Sequence, residues 1–111
     1  MGLRQDFVKK MNDILGQSQF RYGSFKTQPK TPYGLYIRTE SANVRADDRT
    51  WIKANIYLVR LVTDEKNFEL ENSIEDMMDE LEIPYNVVTE EDITSEKVHV
   101  TEWEIKLYEC W

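Results

Sequence analysis

A chain of 111 residues with 41% hydrophobic and 32% charged residues has the makings of one globular domain rather than a disordered polymer. No apolar run reaches the ~18 residues of a membrane span, and one cysteine, Cys110, rules out an internal disulfide and a cysteine-based zinc site. A net charge of −7 argues against a general nucleic-acid binder, which needs a basic footprint.

Residues 3–15, LRQDFVKKMNDIL, put Leu3, Phe7, Val8, Met11, Ile14 and Leu15 on one face at helical spacing, and Gly16 is a natural stop. The opening MGLRQD has no apolar signal stretch, and Asp6 stands where a myristoylation motif needs Ser or Thr, so synthesis and residence in a cytoplasm are expected. Residues 17–32 hold Gly23, Pro29 and Pro32 among polar residues and read as a connector, with at most a short extended piece from Phe20 to Phe25. YGLYIRTE, 33–40, is rich in strand formers.

The polar stretch SANVRADDR leads into the longest strand signal, TWIKANIYLVRLVT, 50–63. There Ile52, Ala54, Ile56, Leu58 and Val62 share one parity, broken only by Arg60, which makes a mostly apolar face. The other parity is mixed and turns apolar toward Leu61, so that end is expected to be covered twice, by a helix and by a neighbouring subunit. On this reading Leu58→Asp unfolds the chain.

Residues 67–82, NFELENSIEDMMDELE, form the clearest helix, with Leu70, Ile74, Met77, Met78 and Leu81 as the apolar stripe. Asn67 or Asp64 can cap it, and Pro84 ends it. Glu71, Glu75, Asp79 and Glu82 fall on the other face and read as solvated. YNVVTEED (85–92) and KVHVTEWEIKLYE (97–109) form a hairpin across the turn ITSE, the second strand alternating Trp103, Ile105 and Leu107 with Glu102, Glu104 and Lys106. The order is α-β-β-α-β-β. The expected fold is α+β in a single domain, 1–111, with an antiparallel sheet of about four strands and two helices packed on one side.

Chemistry is sparse. The one histidine, His99, lies within a strand and reads as a packed or surface ring; no second imidazole joins it in a metal site. Gly2, Gly16, Gly23 and Gly34 are too scattered for a phosphate-binding loop. Met77 and Met78 are spaced as ordinary core. Asp47 and Asp48 are flanked by Arg45 and Arg49, which would keep both ionised, so a charged hairpin connection is favoured over a metal or catalytic pair. No catalytic residue, metal or cofactor is expected, and the chain reads as a non-enzyme.

The charge is unevenly distributed. Residues 1–63 carry 11 Lys/Arg and 5 Asp/Glu, a net of +6, whereas residues 64–111 carry 3 and 16, a net of −13. Strands from the two segments can interleave, so sequence halves need not be spatial halves. A basic and an acidic segment in one chain nevertheless suit head-to-tail self-association.

From Pro32 to Glu109 the chain resembles tail-terminator (tail-completion, head–tail joining) proteins of long-tailed bacteriophages and prophages of Gram-positive hosts. The resemblance lies in PYGLYIR (32–38), ADD (46–48), the long strand, LENSIEDMMDELEIPY (70–85) and ITSEKVHVTEWEI (93–105). It implies a structural neck protein of the virion: a ring, commonly a hexamer, that caps the tail tube, stops its growth and presents the head-docking surface. The implied partners are further copies of the chain, the major tail tube protein and the head connector or stopper. DNA would pass through the ring without sequence-specific binding, and no membrane is involved. The location implied is the virion tail or neck, and the host cytoplasm during assembly. Arg45, Asp47, Asp48, Arg49 and Trp51 become candidate interface residues. Two other readings stay open: a head-completion or stopper protein of the same neck, and an acidic DNA mimic that inhibits a host protein.

Overall fold

The computed structural model describes residues 3–41, 44–46 and 49–110, with backbone alone for 44–46, 49–53 and 109–110. Two helices, α1 (Leu3–Leu15) and α2 (Phe68–Glu80), accompany six strands: β1 (Phe20–Tyr22), β2 (Tyr33–Ser41), β3 (Val44–Ala46), β4 (Arg49–Thr63), β5 (Tyr85–Ile93) and β6 (Val98–Cys110). The α+β class and the order of the six long elements are as the sequence predicts. β1 and β3 are additional.

The sheet runs β1-β2-β4-β6-β5, with β3 also paired to β4. β3 continues the line of β2 along the same neighbour, since Ser41 pairs with Asn55 and Val44 with Ile52. All pairings are antiparallel except β1 with β2. The sheet is therefore mixed rather than wholly antiparallel, because residues 23–32 carry the chain back along the strand as a parallel pair requires. At this pairing Gly34 is obligatory: a Cβ there would lie 2.7 Å from the Phe20 ring.

Both helices pack on one face. Phe7, Met11 and Leu15 of α1 and Ile74, Met77 and Met78 of α2 close over Tyr36, Tyr57, Val59, Leu61, Trp103, Ile105 and Leu107. Phe20 stacks on Tyr36 with ring centroids 5.0 Å apart, and Phe7 meets Phe20 edge-on at 5.5 Å. Asn67 caps α2 through its side-chain oxygen, which accepts from the Leu70 amide at 3.0 Å. Gly16 ends α1 at a positive φ of 119°.

The facing of β4 corrects the parity reading. Tyr57, Val59 and Leu61 meet the helices, while Leu58 and Ile56 lie half-buried on the opposite, open face. Register decides this: Val59 sits opposite Trp103 and Tyr57 opposite Ile105, and cross-strand partners share a face. Counting apolar residues along β4 alone picks the wrong side, because the open face is itself apolar. Leu58→Asp is therefore no longer expected to unfold the chain. At the far end of β4, Val62 is 4% exposed between its cross-strand neighbours Tyr33 and Val100, and Phe25 packs edge-on against Tyr33. Cover on both faces there comes from within the chain.

Candidate assembly surfaces and the His99 cluster

In the strand order β1-β2-β4-β6-β5, every strand drawn from residues 1–63 lies on one side of the β4–β6 seam and every strand from 64–111 on the other. The strands do not interleave, so the mainly basic strands β1–β4 and the mainly acidic β5 and β6 are separated across the sheet, while α1 of the basic segment also touches α2 and β6. On the basic flank, Arg21 and Arg38 are exposed, and a broad cleft of about 900 Å³ opens between the end of α1 and β1, lined by Lys9, Asn12, Arg21 and Phe25 among others. On the acidic flank, β5 carries exposed Val87 (52%), Val88 (49%), Glu90, Glu91 and Asp92.

Where α2 begins, a polar cluster ties helix to sheet. The Glu71 carboxylate accepts from the Lys66 ammonium at 2.7 Å and from the Thr101 hydroxyl at 3.1 Å. Lys66 also pairs with Glu90. The His99 ring, nearly buried, places Nδ1 2.6 Å from Asp92 and Nε2 3.3 Å from Glu90. A neutral imidazole donates from one nitrogen only, and the shorter contact favours Nδ1–H toward Asp92. The hydrogen bond from Lys66, outweighing slight desolvation, holds the Glu90 carboxyl below its ordinary value. Desolvation acts to lower the Lys66 ammonium, but its bonds to Glu71 and Glu90 win and raise it.

Glu71, Glu90 and His99 bring ligand-type atoms within 4.8 Å of one another. That donor set suits a divalent cation, but the Lys66 ammonium already bonds both carboxylates. The cluster is a brace in which one ammonium bridges two carboxylates, and its Thr101 hydroxyl, Lys66 ammonium and His99 ring are each held by a carboxylate. The solvated-face reading of α2 fails here: Glu71 is 8% exposed, and Glu75 accepts from the Trp103 indole N–H at 2.9 Å. These two carboxylates satisfy sheet donors that would otherwise be buried unpaired. For His99 the signal was present in the hairpin register, which sets Asp92 opposite His99 and Glu90 opposite Thr101.

The open sheet face carries Ile37 (49% exposed) beside half-buried Leu35 and Leu58, bordered by Arg60. Arg60 donates to Glu102 at 2.8 Å across the seam.

Of the sequence-predicted interface residues, Arg45 lies in β3 opposite Thr50, while Arg49 opens β4 opposite Ala46. Trp51 follows in β4. The backbone thus brings Arg45, Arg49 and Trp51 together at one end of the β3–β4 pair. Asp47 and Asp48 lie outside the described residues. With β4 running to 15 residues, the molecule is elongated, 52 × 27 × 24 Å.

No protein-family model and no curated protein matches the sequence. Among solved structures, a chain of the native gene transfer agent virion is similar to it, with a TM-score of 0.53 over 96% of this chain and 90% of that one. At 7% identity the likeness is one of fold.

Proposed function

We propose that the protein is a structural virion component of a tailed-phage-type particle. More narrowly, it acts as a tail terminator that assembles as a ring on the end of the tail tube, stops its growth and docks the head. The observation that carries this reading is the fold shared, nearly end to end, with a chain of a gene transfer agent virion. The spatial split of charge supports the ring, because a heterologous contact needs two different patches on each copy. The His99 cluster supports a non-enzymatic role, since its charged groups are spent on one another. The proposed partners are further copies of the chain, the tail tube protein and the head connector, with DNA passing through the lumen.

Negative-stain images and light scattering of the protein with and without tail tubes test this. Caps on tube ends are expected; a monomer that ignores the tubes would sink the reading. Binding to the head connector but not to tubes would move the protein to the neighbouring head-completion role. Charge reversal at Arg45 and Arg49 together is expected to leave the fold intact and weaken capping. Unchanged tail length and head joining in that variant would reduce this end of the β3–β4 pair to a solvated turn.

A further inference from the structure

The sheet ends in two unlike edges. β5 hydrogen-bonds β6 on one side, and among the described residues its outer backbone has no strand partner. At the other end, β1 covers only Gly34 to Tyr36 of β2, and beyond Arg38, whose amide donates to the Tyr22 hydroxyl at 3.1 Å, the outer side of β2 has no described strand neighbour. Unpaired strand edges bind other strands unless something prevents it.

The side chains dictate which pairing is possible. The β5 edge presents Val87 and Val88 next to Glu91, all exposed. Two β5 edges brought together would set carboxylate against carboxylate, and the register shift between Val87 and Thr89 disturbs a regular ladder there. Self-pairing of like edges is thereby disfavoured. The β1–β2 edge presents Arg21 and Arg38, with one carboxylate, Glu40, beyond them, and beside it lies the cleft between α1 and β1, lined by Phe20, Phe25, Lys9 and Arg21 with Asp13 as its one acid. This edge offers what the acidic one lacks: positive charge and a partly apolar hollow for two valines.

We propose that the β5 edge of one copy docks on the β1–β2 edge of the next, so that successive copies extend one sheet head to tail. The partner is a second copy of this chain, and the proposal rests on the self-assembly reading above, to which it assigns the two contacting surfaces. Such a contact is heterologous and closes into a ring when its rotation permits. It relies on exposed opposite charges and weakens with salt.

Charge exchange tests it. Sedimentation velocity of the full chain, from micromolar to millimolar concentration and at low and high salt, reads the association. Arg21→Glu and Glu91→Lys are each expected to weaken association about tenfold at low salt, and the double variant to recover most of that loss. Both sites are exposed, and circular dichroism checks that each variant folds; Arg38→Glu supplies a second reversal on the basic edge. Wild-type association that none of these reversals alters would overturn the edge pairing and leave the ring reading standing. A wild-type chain that stays monomeric at every concentration would also overturn it, and the tube-end images then decide the neck reading separately.

Discussion

Residues 1–63 and residues 64–111 build the two flanks of one sheet, yet they use their charges differently. On the basic flank, cations such as Arg21, Lys26 and Arg38 stand exposed, and Arg21 lines a cleft. On the acidic flank, Glu71, Glu75, Glu90, Asp92 and Glu102 all hold hydrogen bonds to the sheet, to Lys66 or to Arg60. A net of −13 thus overstates the acid that flank offers to a partner. What stays exposed there is a subset: Glu69, Asp76, Glu80, Glu82 and Glu91 among others, together with Glu90 and Asp92, whose hydrogen bonds leave them at the surface. Net charge read along a sequence measures solvent-facing charge only where the fold leaves it unused.

The largest expected effect is at the seam joining the flanks. Val59→Asp puts an unpaired carboxylate at a site with 0% exposure opposite Trp103, and the expected outcome is loss of the cooperative unfolding transition in urea. Leu58→Asp, one residue away on the open face, should keep that transition. If the two variants behave alike, the assignment of β4's faces is wrong.

Next is the brace on the acidic flank. Glu71→Ala removes the acceptor of both Lys66 and Thr101 and is expected to cost about 2 kcal/mol in urea unfolding. By contrast, Arg21→Ala on the basic flank should change stability by less than about 0.5 kcal/mol. Equal losses would erase the distinction between used and unused charge.

A smaller effect follows from pH. Because Lys66 holds Glu90 below its ordinary value, the pair's contribution is complete above the usual glutamate range and is lost as pH falls through the depressed value. Lys66 is raised, so its share persists below the usual lysine range and disappears only as pH rises through the elevated value. Stability against pH should accordingly fall less steeply on the acid side in Glu90→Gln than in the wild type; identical acid limbs would deny Glu90 this role. Arg60→Ala is a further small change. Arg60 is 50% exposed, but its partner Glu102 is nearly buried, so a loss of about 1 kcal/mol is expected, readable as a shift of the urea midpoint.

Much of the architecture was legible from periodicity. The 3.6-residue spacing of Phe7, Met11, Ile74 and Met78 and the alternation of Trp103, Ile105 and Leu107 fix both helices and β6. β3 escaped because three residues carry too little pattern to stand out from a polar stretch. β1 was legible only as an extended piece, since its parallel pairing depends on a distant partner. The face of β4 escaped for a related reason: register with β6, not local composition, selects it. Glu71 and Glu75 were hidden by the rule that helix carboxylates face water. Only the positions of Thr101 and the Trp103 indole across the packed interface show that these two do not.

The seam has a mechanical consequence. From Ile52 opposite Cys110 to Thr63 opposite His99, β4 and β6 form one unbroken antiparallel ladder between the flanks. A force that slides one flank along the other loads those bonds in shear, and they must yield together. A force that peels the flanks apart from one end breaks them in succession. The molecule therefore resists stress along its strands more than stress across them, so its tolerance of load depends on the direction in which a neighbour pulls.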